Sequence, residues 1–80
     1  MKTTEMDPDN IRPWSAVYTQ DGHYLGQVGE TEERFFQVRA PMQPVYWLPL
    51  RAVAQVTDDQ VSVAFYLDQL IEYRRLSPAA

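Results

Sequence analysis

Pro49 stands inside an apolar run, Trp47-Leu48-Pro49-Leu50-Arg51-Ala52-Val53, and no other feature narrows the fold as much. Proline has no N–H to give to a ladder, so a strand through this run must lie at a sheet edge or turn a corner. Earlier in the chain, Asp21-Gly22-His23-Tyr24-Leu25-Gly26-Gln27-Val28 reads as a turn feeding a strand. Asp-Gly supplies a positive φ at little cost, which is what a tight hairpin needs. A hairpin followed by a strand that turns a sharp corner outlines a very small β-barrel.

Composition bounds the rest. A chain of 80 residues makes one domain, with a thin margin of stability. It has no cysteine, so neither a disulfide nor a thiolate is available for stapling, metal binding or attack. The segment Met1-Lys2-Thr3-Thr4-Glu5-Met6-Asp7-Pro8 lacks an apolar core and is not a signal peptide. The apolar stretches are too short to span a bilayer. These features imply a cytoplasmic protein without a membrane partner. Seven basic and 11 acidic residues give a net charge of −4. An acidic domain is a poor match for a phosphate backbone, so direct nucleic-acid contact is not expected. The many aromatic residues imply packing in a small core, or an oligomer interface.

Turn signals and alternation divide the chain. Residues 1–10 read as a mobile tail, with Asp7-Pro8-Asp9-Asn10 as a turn or capping cluster, residues 11–76 as one domain and 77–80 as a C-terminal tail. Ser15 to Tyr18 and Tyr24 to Glu30 read as strands, with Gly26 hosting a bulge that turns both Leu25 and Val28 inward. Thr31-Glu32-Glu33-Arg34 is a polar hairpin tip. Phe35 to Ala40 follows as a strand, with Phe36 and Val38 on one face and Phe35, Gln37 and Arg39 on the other. In the next strand, Tyr46, Leu48 and Leu50 share a face opposite Val45 and Trp47. Asp58-Asp59 joins a strand over 52–57 to one over 61–65, where Val61, Val63 and Phe65 alternate with polar or small residues. Leu67, Leu70, Ile71 and Arg74 then fall at helical spacing, so 67–75 is expected as a short helix whose apolar stripe caps the open end of a barrel. Its Asp68 and Arg74-Arg75 match the helix dipole. The expected fold is all-β: a small antiparallel barrel of five or six strands with a short C-terminal helix.

The residues Val17-Tyr18, Asp21-Gly22, Leu25-Gly26-Gln27-Val28, Tyr46-x-Leu48-Pro49-Leu50-x-Ala52-Val53 and Val61-Ser62-Val63, leading to Asp68, resemble the PRC-barrel family. That family includes the small barrel of the photosynthetic reaction centre H subunit and the C-terminal domain of a ribosome-maturation factor. The resemblance covers residues 14–72 and is closest to the free-standing bacterial members of unknown function. It implies a structural, interaction or assembly module rather than a catalyst.

No catalytic constellation emerges from the residues. His23, the one histidine, follows a turn and has only Asp21 near it in sequence. Ser15, Ser62 and Ser77 lie in no nucleophile motif, and no glycine-rich phosphate loop or zinc ligand set is present. Asp7, Asp9 and Asn10 begin like a calcium loop, but Arg12 and Tyr18 stand where glycine and glutamate are required. Glu30, Glu32, Glu33 and the pair Asp58-Asp59 read as solvated tips, able to hold a cation only if the fold joins them. No cofactor or metal is expected.

The expected interface residues are Trp47, Phe35, Tyr66 and Tyr73. Pleat alternation puts Trp47 and Phe35 on the outer face, either covered by the segment around Trp14 or by the helix, or free to bind. The expected function is a non-enzymatic interaction module, a homodimer, with Trp47→Ala abolishing association and leaving the fold intact. Alternatives are a ribosome- or RNA-assembly accessory acting through a basic protein, and a barrel that binds a small ligand or cation.

Overall fold

The structure is a computed structural model, and it describes residues 11–77. The expected tails, the Asp7–Asn10 cluster and the start of the calcium-like loop lie outside the described residues or at their border.

Six strands form one sheet: β1 Ala16–Tyr18, β2 Tyr24–Thr31, β3 Phe35–Arg39, β4 Tyr46–Pro49, β5 Val53–Val56 and β6 Gln60–Val63. Helix α1 is Leu70–Tyr73, preceded by a 3-10 turn at Leu67–Gln69, and a second 3-10 turn, Leu50–Ala52, links β4 to β5. The strand order is β4-β3-β2-β1-β6-β5. The local hairpins form where the turn residues indicate. Gly22 takes φ +86 in the Asp-Gly turn, and its N–H donates to the Thr19 carbonyl at 3.0 Å. The bulge expected at Gly26 is present. Val17 pairs with Gly26 and Tyr18 with Tyr24, so Leu25 is the extra residue.

The expected closed antiparallel barrel is not what forms. The sheet is mixed, because β1 pairs with β6 in parallel. It is also open: β4 and β5 are its two edges and do not pair with each other. Yet only Leu50–Ala52 separates them in sequence. In a flat sheet, five strand spacings of about 4.8 Å would hold the edges roughly 24 Å apart. The four Cα steps from Pro49 to Val53 reach at most about 14 Å. The sheet is therefore strongly curled, and the 3-10 turn bridges its edges without joining their ladders.

Both edges are blunted, which gives the physical reason closure fails. On β4, Pro49 has no N–H, and the outward groups of Trp47 are taken by Arg75: Trp47 N–H donates to the Arg75 carbonyl at 2.7 Å, and Arg75 N–H to the Trp47 carbonyl at 2.9 Å. On β5, two steps from Val53 to Gln55 match one step of β6, leaving Ala54 as a bulge. Short, bulged or proline-bearing edges resist further pairing.

The concave face holds the core. Val17, Val28, Phe36, Leu48 and Val61 have no exposed surface, and Val38 and Val63 almost none; Tyr46, Leu50 and Phe65 join them. Each lies on the face that alternation assigns. Ile11, which no strand contains, is also buried here. The helix departs from expectation. A 3-10 turn has about three residues per turn, so 67, 70 and 73 align rather than 67, 70 and 71. Leu70 and Tyr73 pack on the core, while Ile71 is 70% exposed. Arg74 is extended and ends the helix, so the expected C-terminal turn of basic residues does not exist.

Candidate functional site

The four aromatic residues expected to form an interface do not share one patch. Trp47 lies on the outer face opposite Gln37, as alternation requires, but is only 7% exposed. Phe35 is half-buried, with the Arg75 guanidinium 6.0 Å from its ring centroid. The cover over this pair is the segment after the helix. Trp14 is elsewhere, 69% exposed, at φ 72, with its N–H donated to the Val28 carbonyl. Tyr73 stacks on Phe65 with centroids 4.3 Å apart and planes at 12°. Tyr66 is exposed where the chain enters the 3-10 turn, and its N–H donates to Gln69 Oε1 at 2.8 Å.

A different surface is continuous. Pairing registers align outward residues in rows across the convex face. Gln55, Ser62, Tyr18 and Tyr24 form one row, across β5, β6, β1 and β2. Gln60, Ala16 and Gln27 form the next, ending at Arg39 on β3. Tyr18 and Tyr24 touch, with ring centroids 5.6 Å apart. Tyr24 is 54% exposed, and the three glutamines are exposed. Apart from Arg39, these positions carry no charge. Further along, Arg39 Nε donates to Gln37 Oε1 at 2.8 Å, and both side chains lie across Gly29. Most of the described acidic residues sit elsewhere: Glu32 and Glu33 at one tip, Asp58 and Asp59 at another, Asp21 in a turn, Asp68 and Glu72 in the C-terminal turns; Glu30 is exposed on β2 itself, where its N–H donates to Gln37 Oε1. Among the described residues no group of three potential metal ligands is gathered, so the two acidic tips are not joined.

His23 and Asp21 lie close together on an exposed turn. His23 Nε2 is 3.7 Å from Asp21 Oδ2, and the His23 side chain is 56% exposed. Asp21 acts as a latch. Its Oδ1 accepts from the Thr19 hydroxyl and from the Leu67 N–H at 3.2 Å, tying the turn to the start of the C-terminal segment. The Thr19 hydroxyl bond, helped by the backbone amides and His23, holds the carboxyl below its ordinary range against partial desolvation. The native state therefore favours the charged form. The latch is complete above the ordinary aspartate value and is lost as pH falls through the lowered native one. In acid, exchange of the Leu67 amide is expected to accelerate in this window, and Asp21→Asn is expected to remove that dependence. An identical acid profile in both proteins would contradict the latch.

The third feature is an open groove of about 550 Å³ between the start of β4 and the C-terminal segment. Pro44, Val45 and Tyr46 border one side, and Ile71, Arg74 and Leu76 the other. Burial pushes the Tyr46 phenol above its ordinary pKa, and the neighbouring Arg74 guanidinium opposes this.

Comparison with protein-family models, curated proteins and solved structures finds no match. The fold and the surfaces above are thus read from this chain alone. Among the described residues, no helix is long and apolar enough to cross a membrane. The rows centred on Tyr18 and Tyr24 escaped the sequence reading because they emerge only when four strands are put in register. Two tyrosines flanking the Asp21-Gly22 turn were the available signal.

Proposed function

We propose that this chain is a non-enzymatic, cytoplasmic protein–protein interaction module that pairs with a second copy of itself through its convex sheet face. The observation that carries the reading is the uncharged double row of Tyr18, Tyr24, Ser62, Gln55, Gln27 and Gln60 on a chain of net charge −4. Like-charge repulsion opposes contact between two acidic copies, and this face would put uncharged side chains rather than the acidic tips Glu32-Glu33 and Asp58-Asp59 at the seam. Interfaces favour tyrosine and exclude charge from their centre. Glutamine amides both donate and accept, so the surface is self-complementary, as a two-fold contact requires. The sequence motifs that resemble PRC-barrel modules fit an assembly role without chemistry, although the sheet here is open.

The test is solution mass by light scattering across concentration. The wild-type chain is expected at twice its 9.3 kDa mass. The double variant Tyr24→Glu, Ser62→Glu sets like charges across the seam, where each close pair costs several kcal/mol, and is expected to weaken pairing about a hundredfold or more. A wild-type monomer at every concentration, or a dimer indifferent to the variant, would overturn the reading.

A second reading is an assembly accessory that binds a basic protein. It is favoured by the tips Glu32-Glu33 and Asp58-Asp59, which lie at the same end of the sheet. Co-sedimentation with ribosomal particles, lost when those four residues are neutralised, would distinguish it.

A further inference from the structure

Arg74 and Tyr46 line a groove that also includes Gln43 and is otherwise apolar. Among the described residues, no carboxylate lies within ion-pair distance of Arg74, although the chain is acidic. Tyr46 is 7% exposed. Tyr46 lines the groove, and the Arg74 guanidinium is near enough to act on its phenol. Around this pair stand Val45, Ile71 and Leu76, which are 40%, 70% and 84% exposed. Two donors beside apolar walls select an acceptor with a negative charge and a greasy tail.

We propose that the groove binds an aliphatic monocarboxylate. Its carboxylate accepts from the Arg74 guanidinium and the Tyr46 hydroxyl, and its tail lies along Val45, Ile71 and Leu76. The charge of Arg74 excludes cationic amphiphiles, and the paired donors favour a carboxylate over a neutral alcohol. The volume suits a small molecule: pockets for such ligands run from about 300 to 1,000 Å³. This site is separate from the convex face and does not depend on self-association.

The test is a titration of the full chain with octanoate below its micelle concentration, followed by the methyl signals of Val45, Ile71 and Leu76. Octan-1-ol and octyltrimethylammonium serve as controls. Saturable shifts confined to these methyls are expected with octanoate, with weaker binding of the alcohol and none of the cation. Arg74→Gln keeps the backbone bond from residue 74 to the Leu70 carbonyl, so the fold is retained. It removes a charge-assisted bond and is expected to weaken octanoate about tenfold or more. Tyr46→Phe should weaken it less. Equal binding of octanoate and octan-1-ol, octanoate binding unchanged by Arg74→Gln, or no saturable shift would each overturn the proposal. Shifts with an acidic, apolar peptide but not with octanoate would do the same and assign the groove to a protein partner. Running the titration on the Tyr24→Glu, Ser62→Glu variant as well separates this site from the seam.

Discussion

Gly26→Ala is expected to strip the domain of much of its stability. Gly26 takes φ +146 in the bulge where β2 crosses between β1 and β3, a conformation that L side chains rarely adopt. A methyl group there would also collide with the Arg39 carbonyl and crowd Val38, which is itself buried. Neither neighbour has room to give, because the carbonyl belongs to the ladder and interiors are close-packed. Strain and overpacking together are expected to cost about 4 kcal/mol or more. An 80-residue chain has a total stability of about 4–12 kcal/mol. Gly22→Ala is the control that separates the two causes. Gly22 also has positive φ, +86, but nothing lies within 4 Å of an added Cβ. It should lose only the about 1–2 kcal/mol of left-handed strain. Urea unfolding followed by circular dichroism measures both. Equal losses would show that the bulge is not the tight point described here.

Trp47→Ala is expected to destabilise the fold by about 3 kcal/mol, which reverses the expectation drawn from sequence for this residue. Alternation places Trp47 outside the core, and it does sit on the outer face of β4, yet it is 7% exposed. The Arg75 backbone lies along it through two hydrogen bonds, and the same arginine stands over Phe35. Truncation removes the surface against which the C-terminal segment rests. The loss should therefore appear in stability and in exchange of the Arg75 amide. Thermal unfolding and amide exchange test this. A variant with unchanged stability but no self-association would restore Trp47 as the binding residue.

These two residues mark where sequence was legible and where it was not. The hairpins were readable because Asp21-Gly22 and Asp58-Asp59 carry local turn chemistry. The inward set Val17, Phe36, Val38, Leu48, Val61 and Val63 was readable because strands have a period of two. Pro49 announced an edge or corner, and the structure has both: β4 is an edge strand and ends at a 3-10 turn. The parallel pairing of β1 with β6 was not readable, since it depends on how the curl brings distant strands together and leaves no local mark. Nor was the cover over Trp47. Residues 74–76 have no strand pattern, and a backbone bridge asks nothing of side chains. The helix was overextended because Leu67, Leu70 and Ile71 fit a period of 3.6, whereas the 3-10 turn runs on three. The convex rows and the Tyr46–Arg74 groove join residues far apart in the chain, so only register and burial reveal them.

Self-association through the convex face is tested most directly by a distance across the seam. The chain has no cysteine, so Ser62→Cys introduces a single attachment point for a spin label in the middle of the Tyr18–Tyr24 row. Facing sheets stand about 10 Å apart, so pulsed dipolar spectroscopy should give one narrow distribution within about 25 Å, abolished by dilution with unlabelled protein. A dimer whose labels lie much farther apart, or no dipolar signal at concentrations where the mass is doubled, would contradict the convex face as the seam.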